Sequence, residues 1–271
     1  MERSLGLMCG AGAVPALMAR QARQHGWRVV AFAFAPPSAA VLGDAARVVP
    51  CDMREIGPVV ATLLEEKVSG VLLSGKFWMS DLLHAERVDE THRAMAASAG
   101  ALLDANVKTV LLSTLTGMGI ELLDQRPFLG DGLPRERVLG ARTPSDAEWA
   151  DVRRGLEVGR AVATLSIGQT VVIRRGAVGA VEAIEGTTAA IRRGTALSGP
   201  GAVVVKTVAA DHDFRFDVPT VGPETIEAAA EGGATVVALE AGCVFVLDRV
   251  ATTRRADAAG IALVSARADG D

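Results

Sequence analysis

The apolar residues of this chain fall into short, dense runs separated by segments of helical period. "SLGLM" leads into the glycine turn "CGAG", a helix-period segment follows as far as His25, and "WRVVAFAFA" supplies a second run. Runs of this length in this order read as strand, turn, helix and strand, each strand being covered on both faces. "ARVVP", the leucine-spaced "EIGPVVATLLEEK" and "VSGVLLSG" repeat the unit, residues 89–118 read as mostly helical, and "GIELLD" adds one more strand. The pattern predicts an α/β fold that opens with a Rossmann-like parallel sheet flanked by helices.

Periodicity lapses over residues 125–146, which hold three prolines among glycine and charge. The chain is therefore divided into a Rossmann-like domain at 1–138 and a second α/β domain at 139–271. In the second, "SDAEWADVRRGLEVGRAVATL" reads as a helix with Ser145 as its N-cap. "QTVVIRRGAVGAVEAIEG" reads as a hairpin turning near Arg175-Gly176, followed by a short helix at 188–193 and the strand "GAVVVKTVA". "ATVVALEAG" and "CVFVLDR" are further strands, residues 250–259 a helix, and "GIALVSA" a last strand.

"DFRFDV" is the odd segment. As a strand it sets Phe214, Phe216 and Val218 on one face and Asp213, Arg215 and Asp217 on the other. Pro219 ends it, and Pro223 fits the first position of a helix whose amide groups point back toward the same place. An arginine beside a carboxylate suits a phosphorylated ligand, the guanidinium taking phosphate oxygens while the acid holds a hard cation or orients water. The alternative is a solvated face on which Arg215 bridges its neighbours.

Composition narrows the class. Hydrophobic residues make up 49% of the 271, yet aromatics are 4% and tyrosine is absent, so the core is built from Ala, Val, Leu and Ile. A net charge of −4 gives no support for nucleic-acid binding. Cys9, Cys51 and Cys243 lie far apart, without a CxxC, and His25, His84, His92 and His212 show no zinc-binding spacing. With no signal-like apolar core and no membrane-length apolar stretch, the chain is expected to be cytoplasmic and to touch a membrane only peripherally.

Two further groups carry candidate chemistry. Gly10-Ala11-Gly12 stands between strand and helix, where free amides favour a phosphate. Pro15 replaces the third glycine of the dinucleotide fingerprint, and the second strand ends without an acid for an adenine ribose, which argues against NAD. A tight turn that binds nothing is the alternative. In the hairpin segment, Glu182 lies among apolar residues and needs a partner, for which Arg192, Lys206 and a hard cation all qualify; Thr187 would otherwise be a helix N-cap.

"GLMCGAGAVP", "GIELLDQRPFL", "IGQTVVIRRGAVGAVEAIEGTTAAIRRG" and "VVVKTVAADHDFRFDVPTVGPETIEAA" together resemble, end to end, the bacterial UDP-2,3-diacylglucosamine pyrophosphatases of the lipid A pathway, in their magnesium-dependent two-domain form. The resemblance implies two domains with a cleft between them. It implies hydrolysis of UDP-2,3-diacylglucosamine to UMP and 2,3-diacylglucosamine 1-phosphate, with Mg2+ as cofactor. The family's essential aspartate falls in "RFDVP", at Asp217.

On this reading Asp217 and Arg215 are catalytic, and Asp217, Asp213, Glu182 and Glu185 are the metal set. Substrate contacts are assigned to Gly10, Gly12, Lys76, Gln169, Gly186, Thr187, Arg192, Lys206, Thr220 and Gly222. The expected partner is a UDP-diacylglucosamine-type lipid met at the inner membrane surface, with a homodimer left open. Ser166 and Thr188 stand where the family usually has Asp, and Ala209-Ala210-Asp211-His212 replaces its Lys-Pro-Gly-Gln. Those departures leave a second reading, a relative that binds the nucleotide sugar without cleaving it.

Overall fold

The computed structural model of the chain describes residues 3–77, 88–91, 93–94 and 104–267. His84, His92 and residues 95–103 of the stretch read as helical lie outside the described residues. The chain forms two compact units, Met1–Gly130 with Asp213–Asp217, and Asp131–His212 with Val218–Asp271.

In the first unit, β1 (Arg3–Cys9), β2 (Trp27–Ala33), β3 (Arg47–Pro50), β4 (Val68–Ser74) and β5 (Glu121–Leu122) form one parallel sheet in the order β3-β2-β1-β4-β5. The expected α/β fold with a parallel sheet is thus present. The helices are α1 (Val14–Gln24), α2 (Ala39–Asp44), α3 (Ile56–Glu65) and α4 (Asp104–Gly117). Leu5, Leu7, Phe32 and Leu72 are fully buried because helices cover the sheet, which is why these strands read as unbroken apolar runs. Sequence periodicity missed α2; its start is fixed by Ser38, whose Oγ accepts from Val41 N–H at 3.3 Å.

In the second unit, β9 (Val203–Lys206), β11 (Val236–Glu240) and β13 (Ala262–Ala266) run parallel. The hairpin β7 (Thr170–Arg174) and β8 (Ala177–Val181) joins antiparallel to β9, and β6 (Arg137–Val138) joins antiparallel to β13. The sheet order is β6-β13-β11-β9-β7-β8, and β10 (Thr220–Val221) pairs separately with β12 (Phe245–Val246). Period-two alternation divides the valines cleanly. Val172, Val204, Val237 and Leu263 meet α6 (Thr187–Ser198), α7 (Pro223–Glu231) and α8 (Arg249–Ala258), while Val171, Val203, Val205 and Val264 meet α5 (Asp146–Thr164). Gly155 lets α5 approach closely, since a Cβ there would lie 2.3 Å from Val205 Cγ2.

Three local readings change. "DFRFDV" is not a strand; Phe214–Phe216 form a turn, because the Asp213 carboxylate bonds the chain two residues on and Phe216 N–H returns to Asp213 O at 3.1 Å. The short helix expected at 188–193 continues to Ser198. Residues 125–146 carry a 3-10 turn at Arg126–Phe128 and the strand β6, which is hydrogen-bonded into the second sheet.

Candidate active site

The second unit gathers its polar side chains at the carboxyl ends of β9 and β11, where open α/β sheets bind ligands. Lys206 ends β9 and is buried, 6% exposed. Its Nζ donates to Thr187 Oγ1 at 2.7 Å and lies 3.5 Å from Thr170 Oγ1. An ammonium only donates, so Thr187 accepts from Lys206 and passes its single proton to Glu182 Oε1 at 2.8 Å. Glu182 Oε2 accepts from Gln169 N–H at 3.4 Å, and the Gln169 carbonyl accepts from Thr207 N–H at 2.9 Å. The partner sought for Glu182 is thus Lys206, reached through Thr187.

Gly186, at φ +80°, is the N-cap of α6 and offers no side-chain cap, so the helix meets Lys206 with its positive end. Gly222 is likewise the N-cap of α7, with Thr225 Oγ1 accepting its N–H at 3.3 Å, and Thr220 Oγ1 donates to Val218 O at 3.0 Å. Arg192 is elsewhere, paired at 2.8 Å with Glu231 on an exposed surface. Glu185 pairs with Arg193, whose hydrogen bond holds the carboxyl below its ordinary range.

Sequence reasoning missed a buried acid on this edge. Glu240 ends β11 at 3% exposure; Arg160 Nη2 donates to its Oε1 at 2.6 Å, and Thr207 Oγ1 and Val208 N–H donate to its Oε2. The signal was present in "VVALE", an acid closing an apolar strand. Leu239 pairs in register with Lys206, so the two buried charges sit at the ends of adjacent strands.

In the first unit, Arg215 is bonded to Asp213 through Nε at 2.9 Å and Nη2 at 2.7 Å, and Arg215 N–H caps Asp213 Oδ1 at 3.0 Å. These bonds hold the Asp213 carboxyl below its usual range. Asp217 follows the turn and is exposed. The chain returns to buried positions at Val218 and Pro219.

The glycine turn closes β1 against β4, the neighbours between which the strand order reverses. Gly10 N–H donates to Ser74 O at 2.8 Å, and Ala11 and Lys76 exchange backbone hydrogen bonds at 2.9 and 2.8 Å. A Cβ on Gly10 would lie 2.4 Å from Lys76 O, so glycine is required there by backbone approach. The amides of Gly10 and Ala11 are spent within the fold. Gly12, at φ +103°, faces open space, and the Lys76 side chain is exposed.

Among the described residues, no three His, Cys, Asp or Glu side chains gather in a metal-binding group. Magnesium, however, is usually held by one or two carboxylates together with phosphate oxygens. Asp213 is committed to Arg215, Glu182 to Thr187 and Gln169, and Glu185 to Arg193. Asp217, the fourth expected ligand, is exposed.

Residues 4–131 match the family model described as the LpxI N-terminal domain, and residues 135–264 match the LpxI C-terminal domain. A UDP-2,3-diacylglucosamine pyrophosphatase LpxI from Caulobacter vibrioides is 31% identical over 274 residues, covering 96% of this chain and 96% of that protein.

Proposed function

Because the chain belongs to the LpxI family, we propose that it hydrolyses the pyrophosphate bond of UDP-2,3-diacylglucosamine, releasing UMP and 2,3-diacylglucosamine 1-phosphate for lipid A synthesis. The observation that carries this reading is similarity over 96% of both chains to a protein named for that activity. Asp217 in its Asp-Phe-Arg-Phe-Asp turn supports it.

Cleaving a pyrophosphate requires positive charge against the phosphate oxygens and an aligned water. When bound, magnesium supplies charge neutralisation at the phosphates, with Asp217 as its protein carboxylate. Asp217 also orients the attacking water. Arg215, its Nε and Nη2 held by Asp213, presents a pre-set guanidinium edge to a phosphate oxygen. In the second unit, Lys206 holds a positive charge behind the uncapped start of α6, its hydrogen bond accepted by Thr187.

The acyl chains place substrate pick-up and product release at the inner membrane surface. No described helix is long and apolar enough to cross a membrane. Contact with the surface is supported by Leu165, Ile167 and Ile184, exposed by 71%, 47% and 82% in the segments flanking Gln169 and Glu182.

The test is UMP release from UDP-2,3-diacylglucosamine in the presence of magnesium. Asp217→Ala is expected to abolish it while leaving the melting temperature nearly unchanged, and persistent release would refute the role of Asp217. The presence of Ser166 and Thr188 in place of the family's usual acids favours, as a second reading, a binder that does not cleave. Tight UDP-sugar binding with no UMP formed across magnesium and manganese titrations would establish that reading instead.

A further inference from the structure

We infer that Gln125 is a positioning residue for Asp217, acting through the main chain of the Asp213–Asp217 turn; this rests on the proposed role of Asp217. Gln125 is 4% exposed and spends both its main-chain and side-chain donors on consecutive carbonyls of that turn. Its N–H donates to Phe214 O at 3.1 Å, and its Nε2 donates to Arg215 O at 3.2 Å, across ninety positions of sequence. A carbonyl oxygen only accepts, so the amide orientation is fixed by its partner.

The neighbouring contacts aim at the same five residues. The Arg126 guanidinium lies 4.3 Å from the centre of the Phe214 ring and is itself held by Asp124 in the same Asp-x-Arg arrangement. Phe216 packs against the core cluster that includes Leu115 and Ile120, with Lys108 Nζ 5.4 Å from its ring centre. After Asp217, Val218 and Pro219 are buried and Thr220 Oγ1 bonds Val218 O. An exposed acid therefore follows a fixed turn, and Gln125 supplies the polar part of that hold. Burying a glutamine is costly unless its amide is satisfied, and here the satisfaction is a turn that carries the essential acid.

Both hydrogen bonds of Gln125 to the turn end on backbone carbonyls, so its loss should displace Asp217 without removing a ligand contact, lowering kcat and sparing KM. Misplacement by about 1 Å can cost on the order of a hundredfold in rate. The experiment measures kcat and KM of the full chain with magnesium and UDP-2,3-diacylglucosamine, at a temperature where each variant is folded by circular dichroism. Gln125→Leu is expected to lower kcat by about tenfold or more, with KM within about threefold of wild type. Gln125→Glu puts a carboxylate against the Arg215 carbonyl, so its activity relative to wild type is expected to be low near pH 8 and to rise toward about pH 5, where a protonated acid again donates.

A kcat for Gln125→Leu within about twofold of wild type, with Asp217→Ala inactive, overturns the inference alone. Should Gln125→Leu fail to fold, a flat Gln125→Glu to wild-type ratio from about pH 5 to 8 overturns it. Full activity of Asp217→Ala instead removes the reading on which it rests.

Discussion

Thr187→Val tests the polar relay at the end of β9 with almost no change of shape. The valine keeps the branched outline and deletes the oxygen that accepts from Lys206 at 2.7 Å and donates to Glu182 at 2.8 Å. Each is a hydrogen bond to a charged group, worth roughly 1.5–3 kcal/mol before compensation. Lys206 keeps Thr170 Oγ1 at 3.5 Å and Glu182 keeps the Gln169 amide, so part of the loss is recovered. A net destabilisation of about 2 kcal/mol follows, because a buried ammonium loses its best acceptor. In thermal unfolding this is a fall of about 4–8 °C for a chain of this size. Thr187→Ser retains the oxygen and is expected to lose less than about 1 kcal/mol. Urea denaturation of both variants decides the matter: valine and serine variants equal within about 0.5 kcal/mol would show that the hydroxyl does not hold Lys206.

Two further outcomes are expected. Burial pushes the Glu148 carboxyl up, but the nearby Thr235 hydroxyl together with hydrogen bonds from Ser145 and Arg142 outweighs it and holds it at about 2 instead of 4.5. The folded state therefore binds fewer protons, and the contribution, on the order of 3 kcal/mol, is present above about pH 4.5 and lost as pH falls toward about 2. Stability measured against pH should show that loss in wild type, and Glu148→Gln should flatten it while lowering stability at neutral pH. Ser166 follows α5 with φ +56° and is exposed, so Ser166→Gly should raise stability by roughly 1 kcal/mol in the same denaturation assay, and no gain would refute the strain assigned there.

The parts of the fold that were legible are those in which burial and period coincide. β1, β2, β4 and β9 are buried along their middles, so residues 5–8, 29–33, 70–72 and 203–205 had to be apolar, and Ser145 declared the start of α5 through a complete capping box with Glu148. α2 escaped notice because six residues carry too little period to register. At the site, the glycine of Gly10 was visible, but its reason lies in the carbonyl of Lys76, which only the pairing of β1 with β4 brings near. Glu240 and Gln125 were passed over for the same cause. Their partners are Arg160 and Arg215, 80 and 90 positions away, and no local pattern announces such bonds.

The alternation of apolar and charged residues in "DFRFDV" has a different origin from the one its period suggests. Period two signals a strand when a ladder supplies the backbone partners. Here the first acid takes that part locally: Asp213 accepts from Arg215 N–H and from the Arg215 guanidinium, closing a turn before any strand can pair. The same Asp-x-Arg closure occurs at Asp52-Met53-Arg54, just beyond β3, and at Asp124-Gln125-Arg126, just beyond β5. In each case a carboxylate two residues ahead fixes both the backbone and the arginine, so that the guanidinium is oriented by a neighbour in sequence. Spacing of the charges, read against the residues that follow a strand, is thus the more informative pattern. In the Asp213 turn it fixes the backbone that leads directly into Asp217, and the Gln125 side chain binds that backbone to the first unit.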